Sequence, residues 1–188
     1  YRLGREIKRC WHRGGHNWVN FEQALQKSCD VYFYEVGKRL GIDTIAKYAN
    51  KFGLGERVEV DLGREAKGLV PTKAWKKKVY KREWVGGETL SVVIGQGYLQ
   101  ASPLQMAVAT AAMVNGGNLI RPRFILNTLN SNGEVRREYE TNIKRKINFQ
   151  AKNQEQVMMG MNAVVNKAGG TAYYTARSDK TMIAGKTG

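Results

Sequence analysis

The sequence predicts a mixed α+β domain, in the broad α/β class, with helices interleaved with a few strands. Its 188 residues fit a single domain, and 42% hydrophobic with 25% charged residues is the balance of a globular protein. Apolar residues recur at helical spacing in several segments, and one turn signature between two short strand-like runs predicts a β-hairpin. The chain contains no internal repeat or low-complexity segment.

The first predicted helix begins at Asn20, which can cap it while Gln23 occupies the reciprocal position of a capping box. Two more helices are predicted over residues 31–40 and 42–52, where apolar and aromatic residues recur and a glycine follows each segment. Ser28 therefore lies at a junction between two helices. A polar side chain held there on both sides can point into a cleft.

Residues 54–100 are rich in glycine and charge, so this part is expected to be mostly loop, with a strand at residues 90–94. A strong helix start follows, because Ser102 can cap the helix, Pro103 takes its first position and Gln105 completes a capping box. Two consecutive glycines further along are expected to end that helix.

The remaining predicted elements are a hairpin, a helix and a short strand. Residues 124–129 and 135–139 flank an Asn-Ser-Asn-Gly turn, which is typical of a hairpin. Residues 154–167 carry an apolar stripe at helical spacing and are followed by two glycines. A short strand over residues 182–184 is expected to lead into Lys186.

The formal net charge of +15 makes an anionic partner a question to settle. The basic residues fall in separate clusters, at 76–82, 136–137 and 144–146, and separate clusters are typical of solvated loops. The aromatic residues 32–34 lie in an apolar context instead of alternating with basic residues on one face. A nucleic-acid-binding domain is therefore the least favoured class, and no nucleic acid partner is predicted.

Cys10 and Cys29 are the only cysteines, too few for a disulfide scaffold. Neither lies in a spacing typical of zinc sites, and two glycines between His12 and His16 disfavour a shared helix face. Cys29 has apolar neighbours and no accompanying histidine, so we interpret it as a packing residue. The sequence predicts no metal site and no cofactor.

Two nucleotide-binding motifs can be rejected. Gly185-Lys186-Thr187 suggests a phosphate-binding loop, but Lys180 stands where that motif needs a glycine. Residues 95–97, Gly-Gln-Gly, lack the third glycine of a dinucleotide-binding fingerprint.

Two short motifs fit a different chemistry. Residues 28–30, Ser-Cys-Asp, and residues 186–188, Lys-Thr-Gly, match the second and third motifs of penicillin-binding proteins and class A β-lactamases. They are 158 residues apart, and the run Gly-Gln-Gly-Tyr-Leu-Gln-Ala-Ser-Pro-Leu-Gln-Met-Ala lies between them at 95–107. This set resembles the class B penicillin-binding proteins. In class D β-lactamases the second and third motifs lie closer together.

The resemblance runs nearly end to end and is closest to the elongation-specific group of that family, penicillin-binding protein 2. The segments that add to it are residues 24–34, 68–71, 75–76 and 169–172. It implies a serine transpeptidase/β-lactamase-like fold, an antiparallel sheet flanked by helices, which would be incomplete in this chain. Residues 1–188 are expected to be the central part of one transpeptidase domain, truncated at both ends.

The resemblance also implies roles for five residues. Ser28 would relay a proton to the leaving amine, and Asp30 would bind the substrate peptide. Lys186, on an edge strand, would supply positive charge that favours proton movement. Thr187 would hydrogen-bond the terminal carboxylate of the substrate, because a hydroxyl beside a cation suits a carboxylate. Gly188 would let the substrate approach closely.

The attacking serine of these enzymes is activated by a lysine three residues further on, and the chain contains no Ser-Xaa-Xaa-Lys. The nucleophile is therefore expected upstream of Tyr1, and half of the oxyanion hole beyond Gly188. The fragment alone is expected not to form an acyl-enzyme.

By resemblance, the intact protein is expected to be a peptidoglycan D,D-transpeptidase that acts on stem peptides ending in D-Ala-D-Ala and is acylated by β-lactams. The expected partner is a membrane glycosyltransferase, and the expected location is the bacterial inner membrane, with the catalytic domain on its periplasmic or outer face. Two alternatives stay open: a D,D-carboxypeptidase or β-lactamase, in which water resolves the acyl-enzyme, and a non-catalytic β-lactam sensor or wall-binding module.

Overall fold

The computed structural model describes residues 1–4, 6–60 and 63–188. A small part of the loop predicted between residues 54 and 100 lies outside these ranges. The described elements, in chain order, are β1 (Arg2–Leu3), β2 (Glu6–Ile7), α1 (Phe21–Gln26), α2 (Asp30–Leu40), α3 (Ile42–Lys51), α4 (Lys73–Tyr80), α5 (Gly86–Val93), α6 (Pro103–Val114), β3 (Asn118–Arg121), β4 (Asn127–Leu129), β5 (Val135–Glu138), β6 (Asn142–Lys146) and α7 (Ala151–Asn166).

The chain folds into two compact units. Unit 1 comprises residues 1–45, 72–97 and 149–188, and unit 2 comprises residues 46–71 and 98–148. The described strands form three two-stranded antiparallel sheets, in the pairs β1–β2, β3–β6 and β4–β5. Helices combined with antiparallel strands confirm the predicted α+β class.

The core of unit 1 lies where α1 packs against α7. Ala24, Ala163 and Val164 are fully buried there. Gly160 permits the close approach of the two helices, since a methyl group at that position would lie only 3.0 Å from Cβ of Leu25. This packing places the C-terminal end of α1 and the N-terminal end of α2 at the site described below.

Unit 2 is organised around Gln105, whose side chain is 1% exposed. Its amide donates to the carbonyls of Glu56 (2.6 Å) and Lys67 (2.9 Å), and its oxygen accepts the Ser102 N–H (2.8 Å) in the predicted capping box. A buried amide with all these partners ties a helix start to two loop segments. Leu119 on β3 is also buried.

Most predicted helices are confirmed, but two predicted strands are wrong. Residues 90–94 belong mainly to α5, where Leu90 and Val92 are buried on a helix. No strand forms at residues 182–184 or in the Lys-Thr-Gly segment after them, so Lys186 does not lie on a strand in the described chain. A strand needs a partner strand, and this segment is bonded to helix α7 instead, through Gly185 N–H to the Met161 carbonyl (3.1 Å).

Candidate active site

Ser28 occupies the turn that ends helix α1. The Ser28 N–H donates to the carbonyl of Leu25 (3.1 Å), and the Cys29 N–H donates to the carbonyl of Ala24 (2.9 Å). This pair of bonds is the Schellman motif, in which the residue at Ser28's position adopts a left-handed backbone and is usually glycine. Ser28 has φ of 50°, so a strained backbone turns its side chain out of the helix.

Trp11, in the loop that precedes α1, is hydrogen-bonded to the junction between α1 and α2. Its indole N–H donates to the carbonyls of both Lys27 and Ser28, each at 3.0 Å. Its backbone N–H donates to Oδ2 of Asp30 (3.0 Å). Three hydrogen bonds from one residue thus fix the Ser-Cys-Asp motif against the loop that precedes it.

Lys186 and Thr187 reach Ser28 from the other end of the chain. The Lys186 ammonium donates to Ser28 Oγ (2.6 Å), to the Thr187 carbonyl (2.8 Å) and to Thr187 Oγ1 (3.2 Å). The Thr187 hydroxyl is also 3.3 Å from Ser28 Oγ. The structure therefore brings together the three site residues whose side chains carry hydroxyl or ammonium groups.

A fourth polar side chain completes this cluster. Oγ1 of Thr171 lies 3.2 Å from Ser28 Oγ and 2.8 Å from Thr187 Oγ1. The sequence analysis included Thr171 in a segment of family resemblance without giving it a role. Only tertiary structure reveals its place, because it lies 143 residues from Ser28; the two glycines that precede it were the sole local signal of a special backbone.

These residues line a cleft of about 730 Å³ in unit 1, within the size range of ligand-binding pockets. Asp30 and Gly188, both assigned to substrate binding from the sequence, line it as well. The walls include Trp11 and other apolar side chains. The lining residues are Trp11, Leu25, Ser28, Asp30, Phe33, Val93, Ile94, Gln96, Thr171, Lys186, Thr187 and Gly188.

The electrostatics of the cleft centre on Lys186. Lys186 is an exposed residue, but partial burial of its ammonium disfavours the charged form and lowers the pKa of Lys186. The carboxylate of Asp30 acts in the opposite direction with a smaller effect. An ammonium with a lowered pKa, bonded to a hydroxyl, is suited to assist proton transfer.

Cys29 itself is buried, at 4% exposure, and burial raises the pKa of its thiol. A raised pKa disfavours the nucleophilic thiolate. The side chains of Cys10, His16 and Cys29 nevertheless come together, with their ligand-type atoms all within 4.8 Å of one another. Such a donor set can hold a borderline divalent ion such as Zn²⁺. The spacing in the sequence did not indicate this cluster, because it forms only when the loop at residues 10–16 folds back onto α2.

The family model for the penicillin binding protein transpeptidase domain matches residues 2–188. The chain belongs to this family. A peptidoglycan D,D-transpeptidase MrdA from Acinetobacter baumannii is 37% identical over 182 residues, which cover 96% of this chain and 26% of that protein. The corresponding MrdA from Escherichia coli K12 is 34% identical over the same length and share of this chain, and the match covers 28% of that relative.

Solved structures of transpeptidases share the fold. A penicillin-binding protein PBP2 from Helicobacter pylori, solved in complex with MreC, superposes with a TM-score of 0.87 at 34% identity, over 100% of this chain and 33% of that one. The Pseudomonas aeruginosa PBP2, in complex with WCK 5153, gives a TM-score of 0.78 at 36% identity, over 92% of this chain and 37% of that one. The serine transpeptidase fold implied by the sequence is therefore confirmed. The chain spans about a quarter of the length of the MrdA relatives described above.

Proposed function

We propose that these 188 residues form the part of a peptidoglycan D,D-transpeptidase that binds the substrate and supports proton transfer. The observation that carries the proposal is the meeting of Ser28, Lys186 and Thr187 in one cleft, with the Lys186 ammonium 2.6 Å from Ser28 Oγ. Nothing in the sequence places these residues close together except the family resemblance, and the relatives named as D,D-transpeptidases support the same chemistry.

In the proposed reaction, a serine of a Ser-Xaa-Xaa-Lys motif outside these residues attacks the carbonyl carbon of the penultimate D-alanine. The new serine ester bond forms as the peptide C–N bond breaks, and the terminal D-alanine leaves after its nitrogen gains a proton. The amine of a second stem peptide then displaces the serine, which recovers its proton. The product is a peptide cross-link.

Each residue of the cleft has a part in this scheme. Ser28 passes the proton to the leaving nitrogen, and the positively charged Lys186 favours that transfer by stabilising the oxygen as it gives up its proton. Thr187 donates to the terminal carboxylate of the substrate. Asp30 and Gly188 line the cleft where the stem peptide would lie.

The partners and location of the whole protein are part of the proposal. We expect a membrane glycosyltransferase as partner and the outer face of the inner membrane as location. A solved peptidoglycan synthase complex that coordinates polymerization and crosslinking contains a chain 28% identical to this one, with a TM-score of 0.71. In the described part of this chain, no helix is both long and apolar enough to cross a membrane.

The test is covalent labelling with a fluorescent penicillin. Two proteins are compared: the 188-residue chain, and an extended form, meaning a longer form of the protein that also carries a Ser-Xaa-Xaa-Lys motif and the residues after Gly188. We expect labelling of the extended form at the serine of that motif and none of the 188-residue chain. Peptide mapping by mass spectrometry identifies the labelled residue.

Three other labelling results would contradict this proposal. Labelling of Ser28 or Cys29 in the short chain would overturn the assignment of the nucleophile. If neither form is labelled, a non-catalytic wall-binding module is favoured. If the extended form is labelled but releases the penicillin rapidly by hydrolysis and forms no cross-links between stem peptides, the activity is that of a β-lactamase or carboxypeptidase.

A further inference from the structure

The Thr171 side chain, like that of Lys186, contacts both hydroxyls of the predicted motifs. Its Oγ1 lies 3.2 Å from Ser28 Oγ and 2.8 Å from Thr187 Oγ1, and it lines the cleft. Hydroxyls at these distances share hydrogen bonds. The residue therefore links the group that would deliver a proton to the group that would hold the substrate carboxylate.

The backbone around Thr171 is fixed on both sides. Its own N–H donates to the carbonyl of Gln26 (3.1 Å), and the N–H of Ala172 donates to the carbonyl of Val164 (3.1 Å). Gly170 makes this approach to α7 possible, because a methyl group there would lie 2.6 Å from the carbonyl oxygen of Ala163. A rigid backbone gives the Thr171 hydroxyl a fixed position, whereas Thr187 lies on a segment without regular secondary structure.

The hydrogen-bond donors and acceptors around Lys186 limit the direction in which the Thr187 hydroxyl can point its proton. The Lys186 ammonium has three N–H groups, and three acceptors surround it: Ser28 Oγ, the Thr187 carbonyl and Thr187 Oγ1. Each hydroxyl has a single proton to donate. If Thr171 donates to Thr187 Oγ1, that oxygen accepts two hydrogen bonds, and its own proton can go either to Ser28 Oγ, at the longer distance of 3.3 Å, or into the open cleft. A carboxylate bound in the cleft is the stronger acceptor of the two.

We propose that Thr171 is a positioning residue that orients the Thr187 hydroxyl, so that the Thr187 proton points into the cleft and meets the carboxylate of the substrate or of a β-lactam. This inference rests on the proposed function, since it assumes that Thr187 binds the carboxylate. Thr171 acts through Thr187 and forms no bond with the reacting atoms.

Removal of the Thr171 hydroxyl is expected to affect ligands that carry a carboxylate more than ligands that do not. Losing the Thr171 hydroxyl weakens the interaction with a carboxylate, whereas a ligand without a carboxylate gains nothing from an oriented Thr187. Two probes separate these cases: benzylpenicillin, which carries a free carboxylate, and its methyl ester, which does not. Their acylation rate constants are measured on the extended form by competition with a fluorescent penicillin.

The variant Thr171→Val keeps the shape of the side chain and removes its hydroxyl. We expect acylation by benzylpenicillin to slow about tenfold, the worth of one net hydrogen bond to a charged group, and acylation by the ester to change less than about twofold. Thr171→Ser restores a hydroxyl and is expected to restore the rate with benzylpenicillin. Thr175→Val is the matched control, because the Thr175 hydroxyl donates to the backbone carbonyl of Ala172 (3.4 Å) and to no site residue that we describe.

Two results would overturn the inference: an unchanged rate with benzylpenicillin in Thr171→Val, or an equal slowing with both probes, which is the mark of a general structural defect. If Thr171→Val fails to fold by circular dichroism, the pair Thr171→Ser and Thr171→Ala gives the same comparison with smaller side chains. Failure of the wild-type extended form to label at all would remove the proposed function as well. Normal labelling with an unaltered preference for the carboxylate would remove this inference alone.

Discussion

Ser28 combines a backbone that favours glycine with a side chain to which the proposed function gives a role. Its φ of 50° lies in the left-handed region, which costs a residue with a Cβ roughly 1–2 kcal/mol. The Schellman hydrogen bonds of Ser28 and Cys29 and the two bonds from the Trp11 indole hold it there. Strain of this kind is common where a structure keeps a functional side chain in place.

The prediction is that Ser28→Gly makes the protein more stable than Ser28→Ala, by about 1 kcal/mol, while both variants lose acylation. Both remove the same hydroxyl and its bond to Lys186, so their difference isolates the backbone strain. Urea unfolding of the extended form measures the free energy, and fluorescent penicillin measures the activity. Equal stability of the two variants would show that Ser28 is not strained.

The charge of Lys186 is expected to make the acylation rate depend on pH. Burial lowers its pKa below the usual lysine value, so the ammonium is lost at a lower pH than in a free lysine as pH rises. If the charge assists proton transfer, the acylation rate of the extended form falls on the alkaline side, with an apparent pKa below about 10.4. In Lys186→Arg the guanidinium stays charged throughout this range, so that fall is expected to disappear. If the acylation rate of Lys186→Arg falls with the same midpoint pH, the titrating group is not Lys186.

The sequence predicted candidate site residues, and the structure adds their arrangement. Ser28, Lys186 and Thr187 were identified from two short motifs, and the structure brings them within hydrogen-bond distance. Thr171 could not be assigned a role, because a hydroxyl in a Gly-Gly-Thr-Ala segment has no local signature of function. Its place depends on α1 packing against α7, which no spacing in the sequence encodes.

At the scale of elements, Trp11 connects the loop at residues 10–16 to the α1–α2 junction by hydrogen bonds. The Trp11 indole N–H reaches the Lys27 and Ser28 carbonyls, and the Trp11 backbone N–H reaches Asp30. Trp11 also lines the cleft, while its indole N–H bonds to the junction of the two helices. We therefore expect Trp11 to affect both stability and activity.

Trp11→Phe keeps an aromatic wall and removes the indole N–H. We expect a loss of about 1 kcal/mol in the free energy of unfolding, since the two bonds share one donor near solvent, and a slower acylation because Ser28 is held less firmly. The control is Trp18→Phe, which changes a fully exposed ring and is expected to alter neither quantity. Urea unfolding and penicillin labelling of the extended form provide the measurements. An active and fully stable Trp11→Phe would show that the indole N–H holds nothing in place.

Helices with a capping box were predicted correctly, and strands were predicted less well. The caps at Asn20 and Ser102 are local features, and the structure contains both. The apolar run at residues 90–94 fits a buried strand or a buried helix equally well by periodicity. The structure shows helix α5 there, and the Glu88 carboxylate accepts the Val85 N–H (2.8 Å) at its start. Because valine has no side-chain acceptor for a cap, no complete capping box marks this start in the sequence.

For the whole molecule, family membership was predictable because the two motifs and the segment at residues 95–107 occur in the right order at a large separation. The serine transpeptidase fold is confirmed by the match of this chain to PBP2 structures. The division into two compact units was not predicted from the sequence. Unit 2 is inserted into unit 1 along the chain in two stretches, 46–71 and 98–148, and no composition change marks these boundaries.

The net charge of +15 gives a prediction for the whole chain. With 31 basic and 16 acidic residues, repulsion between basic groups is expected to destabilise the compact state. Exposed ion pairs such as Lys77–Glu83 contribute little to oppose it. Salt shortens the screening length from about 30 Å at 0.01 M to about 10 Å at 0.1 M. The free energy of unfolding is therefore expected to rise by on the order of 1 kcal/mol between 10 and 200 mM NaCl. Urea is the suitable denaturant for this measurement because it is uncharged and leaves the ionic strength unchanged.

The charge variants decide whether this salt effect comes from net repulsion. Replacing the exposed Lys78 and Arg136 by glutamate lowers the net charge by about four, and screened repulsion then predicts a smaller gain from salt. The matched controls, Lys78→Arg and Arg136→Lys, keep the charge and are expected to keep the full salt dependence. A free energy of unfolding that falls as NaCl is added would mean that attractive ion pairs, not repulsion, dominate the electrostatics of this chain.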